Sequence, residues 1–170
     1  VNDILLCELF LTAEAWNRAA DQDTTRQSMR ITMPINMRTR QHRRMPAANV
    51  MSYGFLQRTG AERADPASLL RGIALETELI RRHQLGTLLL HGLALAVRAP
   101  RLFRWGLRAA GHFATAVLSN LGEPTRRMLC KLPLIDGKLR AGNLTLTQLF
   151  LAPPVRRGTA LSIAVSTYLN

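Results

Sequence analysis

Two spacings of apolar residues take turns along this chain, and a polypeptide that switches between them folds as helices laid against a sheet. From Ile4 to Ala20, residues Ile4, Leu5, Cys7, Leu9, Phe10, Leu11 and Trp16 give a helix its apolar face, with Asn2 or Asp3 placed to cap it. After a polar turn at 21–25, Met29, Ile31, Met33 and Ile35 alternate with Arg30, Thr32 and Asn36, which predicts a strand with one buried face. Pro34 within it predicts an edge position, a strand end or a bulge, because proline cannot donate to a ladder. A basic loop with four arginines follows at 38–46, then a second strand at 50–58 in which Gly54 predicts a bulge.

Pro66 after Asp65 opens a helix running to His83, with Leu69, Leu70, Ile73, Leu75, Leu79 and Ile80 as its stripe and Gly86 closing or kinking it. Residues 88–110 read as one or two further helices, the second started by Pro100. Arg98, Arg101, Arg104 and Arg108 share one face there, a basic amphipathic pattern over 98–108. It suits either peripheral contact with an anionic membrane or a surface helix whose aromatics enter the core. A buried strand is expected at 113–118 with a turn at 119–122, and two more strands at 143–152 and 159–169. No internal repeat is present, and the expected fold is α/β, or α+β layered, in one lobe over 1–170.

Composition narrows the functional classes. With 47% hydrophobic and 20% charged residues, the chain has enough apolar surface to bury and is not a disordered or low-complexity polymer. The 23 cationic residues exceed the 11 acidic ones by 12, and all the cations but Lys131 and Lys138 are arginine. Arginine forks suit phosphate, anionic lipid or carboxylate; the competing reading is a set of solvated guanidinium groups spread over the surface. An aromatic content of 5% argues against a binder that stacks nucleic-acid bases. Cys7 and Cys130 form no CxxC pair and the histidines do not cluster, so neither a disulfide framework nor a metal site is signalled, and a reducing, cytoplasmic compartment is expected. Val1-Asn2-Asp3 is not the charged start of a signal peptide, and the apolar run 85–97 falls short of the roughly 18 to 20 residues of a membrane span.

No catalytic residue is assigned from the residues alone. His42, His83, His91 and His112 have no carboxylate beside them, and no GxSxG, P-loop, GxGxxG or HExxH spacing occurs.

Four short motifs nevertheless stand in a telling order: Asn2-Asp3-Ile4-Leu5-Leu6 opening a helix, Met33-Pro34-Ile35-Asn36-Met37-Arg38 ending a strand, Asn49 ahead of the next strand, and Ser119-Asn120-Leu121-Gly122. Over nearly the whole chain this resembles the second half of the CoA-dependent acyltransferase superfamily, which includes chloramphenicol acetyltransferase, the condensation domains of nonribosomal peptide synthetases and bacterial wax ester synthase/diacylglycerol acyltransferases. Asn2-Asp3 is similar to the Asn-Asp motif of the last group, and Ser119-Asn120-Leu121-Gly122 to its Ser-Asn-Val-Pro-Gly turn.

The resemblance implies the C-terminal lobe of a two-lobed, chloramphenicol acetyltransferase-like fold with a tunnel between the lobes. The implied substrates are an acyl-CoA or acyl-carrier thioester and a hydroxyl or amine acceptor, with no covalently bound cofactor and a carrier protein as a possible partner. The superfamily's general base, the second histidine of an HHxxxDG motif, belongs to the first lobe, and this sequence has no adjacent histidine pair. By the same resemblance Asn2 and Asp3 shape the floor of the active-site region, the alternative being plain helix capping. Thr115 and Ser119 present hydroxyls to the oxyanion or the pantetheine arm, or simply pack in a strand. Asn120 and Gly122 form the turn, and Arg38 meets the donor's phosphates or stays solvated. Two other readings are open: a non-catalytic basic module that holds nucleic acid or anionic lipid, and an inactive condensation-like scaffold.

Overall fold

The structure, a computed structural model, describes residues 1–45, 50–101, 114–123, 132–155 and 158–167. Helix α1 (Asn2–Ala19) leads into strand β1 (Met29–Asn36), a 3-10 turn (Arg40–Arg44) and strand β2 (Met51–Arg58). A single helical turn α2 (Gly60–Arg63) precedes α3 (Pro66–Arg82) and α4 (Gly86–Arg98). Then come β3 (Ala116–Gly122), the short strands β4 (Leu134–Ile135), β5 (Lys138–Ala141) and β6 (Leu144–Thr145), and β7 (Leu161–Ser166). The class is mixed α/β, with helices against a mixed sheet ordered β2-β1-β3-β7. β1 runs antiparallel to β2 and parallel to β3, and β3 is parallel to β7.

Strand alternation sorts the sheet into two faces. Met29, Ile31, Leu56, Ala116 and Leu118 point to one side, where Leu6, Leu9 and Phe10 of α1 and Leu69 and Ile73 of α3 complete the core. The expected stripe of the 66–83 helix therefore divides: Leu69, Ile73 and Ile80 are buried, whereas Leu75 and Leu79 are exposed. Asp65 caps α3 through bonds from the amides of Ala67 and Ser68, with Pro66 in the first turn as expected.

A buried guanidinium ties these layers together. Arg63 donates Nε to Glu14 Oε2 (2.9 Å), Nη1 to the carbonyls of Arg58 (2.7 Å) and Gln27 (3.1 Å), and Nη2 to the carbonyl of Thr24 (2.9 Å) and to Glu14 Oε2 (2.7 Å). All five guanidinium donors are thus engaged, which is the condition under which burying such a charge is tolerated. A second pair, Arg58 with Glu76 at 2.7 Å, links the end of β2 to α3.

Several expectations are corrected. The first helix begins at Asn2, not Ile4, with no side-chain cap from Val1, so Asn2 and Asp3 lie inside it and their side chains are used elsewhere. For Pro34, the strand-end alternative holds rather than the edge or the bulge: β1 is an interior strand, and Pro34 lies near its end. Arg30 accepts from the amide of Thr115, so Arg30, Thr32 and Pro34 turn their backbone groups toward β3. Pairing with β3 stops at Thr32, so the missing N–H of Pro34 falls beyond the ladder. The β1–β2 register is unbroken across Gly54, so there is no bulge; Met33 fills the space a Cβ would take there.

Gly86 neither closes nor kinks the 66–83 helix. The reversal is made by Gln84 at φ 49°, and Gly86 opens α4, where a Cβ would stand 3.1 Å from Met37 Sδ and 3.3 Å from Ser52 Cβ. The residues 119–122 are not a turn but the end of β3, because β7 supplies a partner: Ser119 pairs with Ala164, Asn120 with Val165 and, after an irregularity at Leu121, Gly122 with Ser166. Gly122 still takes φ 60° where the strand ends.

The 143–152 strand is largely absent, since only Leu144 and Thr145 are extended in a ladder and 146–155 is irregular. Its place is taken by a small meander, β4-β5-β6, turned at Asp136-Gly137 with φ of 51° and 72°. Pro100 and Arg101 are helical, but the rest of the 98–108 pattern, including Arg104 and Arg108, lies outside the described residues, as do Phe113 and the end of the 159–169 strand.

Two stability predictions follow from this packing. Burial alone would raise the Glu14 pKa, but the bonds from Arg63 and Thr24 and the charges of Arg63 and Arg18 outweigh it and hold the carboxyl below its usual range. A depressed folded value means the stabilisation is complete above the unfolded pKa of about 4.3 and is lost as pH falls through the folded one. Glu14→Gln should cost about 3 kcal/mol in urea unfolding at neutral pH, and the gap from the unsubstituted protein should close in acid. Gly60→Ala should be worse than an ordinary helix substitution, by roughly 2 kcal/mol or more, because the new Cβ would collide with the Thr25 carbonyl.

Candidate functional site: a cleft at the carboxyl end of the first strand

Beyond Thr32, β1 and β3 no longer pair, and α1 begins where they part. The carboxyl ends of parallel strands, where neighbouring strands diverge, are where open α/β sheets form crevices. A cleft of about 470 Å³ opens here, bounded by the first turn of α1, the end of β1 with residues 37–39, and the last turns of α3.

Asn2 and Asp3 form one wall, each held by a distant element. Asn120 Nδ2 donates to Asn2 Oδ1 at 2.6 Å across 118 positions of sequence, and the Asn120 amide oxygen accepts from the Gly122 amide at 2.9 Å. The end of β3 is thereby fastened to the start of α1. Asp3 Oδ1 accepts from Thr77 Oγ1 at 2.8 Å, which fixes the first turn of α1 to α3. As an acidic residue in that turn, Asp3 also complements the helix dipole.

Arg38 enters from the opposite wall. Its amide donates to Asn36 Oδ1 at 3.0 Å, a local turn that ends β1 and sends the chain past the cleft. Arg81 and Gln84 from the end of α3 line the same space. Arg81 is also paired with Glu78, one turn earlier on α3. The cleft therefore offers two guanidinium groups, a carboxylate and carboxamides, a set that binds and orients a polar or anionic group.

Four of the six residues singled out from sequence meet in this region: Asn2, Asp3 and Arg38 line the cleft, and Asn120 braces Asn2. Thr115 does not. It lies at the opposite end of β3, about 17 Å along the strand at 3.3 Å per residue, where its hydroxyl accepts from the Arg30 amide at 3.2 Å and it borders a separate hollow with Thr159 and Ala160. Ser119 alternates with Leu118 and Asn120 and so faces the other side of the sheet. Thr77, Arg81 and Gln84 were not singled out. Thr77 had a signal, for it is the one hydroxyl among Leu69, Ile73 and Ile80 on the buried stripe of α3.

The described histidines offer no base to this cleft. His42 Nδ1 accepts from the Thr39 amide at 2.9 Å and closes a capping box, while His83, in the turn after α3, and His91, on α4, are exposed and do not line the cleft. No cluster of metal-ligating side chains occurs among the described residues. Cys7 is buried against the Pro66 carbonyl, and that burial, with the nearby Glu8, pushes its thiol pKa up, which leaves it a poor nucleophile. Comparisons with protein-family models, with curated proteins and with solved structures find no match to this chain.

If the Asp3–Thr77 bond holds the cleft wall, Asp3→Asn, Thr77→Val and the double substitution should form a cycle with a coupling of about 1 kcal/mol in denaturant unfolding.

Proposed function

We propose that this chain is a lobe of an acyl-thioester-dependent acyltransferase of the chloramphenicol acetyltransferase and condensation-domain kind. The observation that carries the reading is the Asn2–Asn120 hydrogen bond. Two of the four motifs behind the resemblance, Asn2-Asp3 and Ser119-Asn120-Leu121-Gly122, are remote in sequence, yet they join at the strand ends beside a cleft. The mixed sheet with helices on its core face is compatible with such a lobe.

In this reading the cleft forms one wall of the space where an acyl-CoA or acyl-carrier thioester meets a hydroxyl or amine acceptor. Arg38 would hold a phosphate group of the donor, and Arg81 would exchange its exposed, weak pair with Glu78 for a second phosphate contact, because planar guanidinium groups pair with phosphate oxygens by two parallel bonds. Asn2 and Asp3, braced by Asn120 and Thr77, would set the position of the acyl or pantetheine chain. The acceptor oxygen or nitrogen attacks the thioester carbonyl, the carbon–sulfur bond breaks, and the acceptor's proton passes through a base to the departing thiolate. That base, by the resemblance, is a histidine of the companion lobe.

Thioester turnover by the full-length protein tests this, read as free thiol released from acyl-CoA or an acyl-carrier protein in the presence of alcohol and amine acceptors. Turnover is expected, with KM for the donor raised about tenfold by Arg38→Ala. A full-length protein that consumes no thioester from either donor would overturn the proposal.

A further inference from the structure

Outside the cleft, the most unusual surface lies where α3 gives way to α4. Leu75, Leu79 and Arg82 follow one another on α3 at spacings of four and three, and all are exposed. Leu88, His91, Leu95 and Arg98 do the same on α4 at spacings of three, four and three. Such spacings place each set on a single helical face. Leu88 and Leu95 are 63% and 66% exposed, far beyond what a leucine in a core-facing stripe shows. Leu85, at the joint between the helices, is also exposed, and an apolar groove of about 390 Å³ lined by Tyr53, Leu79, Ile80, Leu85 and Leu88 connects the two stripes.

The charge around this surface is mostly of one sign: among the described residues 79–101 there are four arginines (Arg81, Arg82, Arg98 and Arg101) and two histidines but no aspartate or glutamate. Of the carboxylates on the end of α3, Glu76 lines the groove but is paired with Arg58, and Glu78 is paired with Arg81. Each leucine stripe therefore ends on an arginine, and the chain as a whole carries a net +12. α4 has 13 residues, about 20 Å at 1.5 Å per residue, too short for a hydrocarbon core of about 30 Å but well suited to lie along one.

We propose that α4, with the exposed leucines of α3, seats the protein on an anionic lipid surface. The leucines enter the boundary between headgroups and acyl chains, while Arg82, Arg98 and Arg101 extend their stems across the apolar surface and meet lipid phosphates. A nucleic acid would satisfy the arginines but leave the leucines in water, which is why lipid is the occupant that fits both features. The seat lies on α4 and the end of α3, one helix earlier than the 98–108 pattern suggests from sequence. It is independent of acyl transfer.

The test is co-flotation of the full-length protein with phosphatidylcholine vesicles that do or do not contain phosphatidylglycerol, at low and high salt. Binding is expected only with phosphatidylglycerol, weakened by salt, and reduced about tenfold or more by Leu88→Ser/Leu95→Ser with the melting temperature unchanged. A control, Leu144→Ser on the exposed β6, should bind as the unsubstituted protein does. As a second readout, Leu95→Trp should gain fluorescence that brominated lipid quenches. No vesicle binding, binding indifferent to the leucine substitutions, or a Leu95→Trp signal that brominated lipid leaves untouched would each overturn the proposal. So would self-association that the same substitutions abolish without any lipid effect.

Discussion

The Arg63 guanidinium is the point on which the N-terminal half of this fold turns. It is reached from α1 through Glu14, from the approach to β1 through the carbonyls of Thr24 and Gln27, and from the end of β2 through the carbonyl of Arg58. These are backbone groups at the ends of regular elements or in the turn before β1, where a local bond such as that from the Gln27 amide to the Thr24 carbonyl leaves a second lone pair to fill, and buried polar groups short of partners are costly. One planar group with five donors serves them together. The arrangement fixes where α1 lies relative to the β1–β2 hairpin, and so fixes where the first turn of α1 meets the strand ends.

The cleft depends on that placement. β1 pairs along its whole length with β2 but only briefly with β3, and α1 starts in the gap. Hydrogen bonds from Asn120 and Thr77 then hold Asn2 and Asp3 as a wall. A helix cap would have spent the same side chains locally. Because the helix starts at Asn2, two residues before Ile4, they are released for contacts with β3 and α3, and the cleft gains a polar rim.

What could be read in advance depended on how local the physics was. β2 and α3 were legible to within a residue or two, because alternation, the Asp65 cap and the Pro66 start all act within a few positions. The end of β3 is not legible locally, because Ser119, Asn120 and Gly122 favour a turn by themselves, and only the ladder with β7, some 45 residues later, keeps them extended. The Asp136-Gly137 turn is a local signal that competes with the Leu-Thr-Leu-Thr alternation after Asn143, and the turn wins. In the candidate site, Asn2, Asp3, Arg38 and Asn120 were legible as motif residues, but their convergence was not. Arg63 carried no mark at all: among 21 arginines, nothing in its neighbours sets it apart, since its partners are mostly carbonyls.

The order of the sheet also has a consequence during synthesis. The β1–β3 contact joins residues 85 apart, as between Arg30 and Thr115. At about 5 to 20 residues per second, the inner edge of β1 waits roughly 4 to 17 s for its partner to be made. An unpaired strand edge is a template for pairing with another chain. Pro34 removes a donor from that very edge, and it does so beyond the last β3 pair, where the finished sheet does not need one. The residue that looks out of place in an interior strand thus blunts the nascent edge at no cost to the completed ladder.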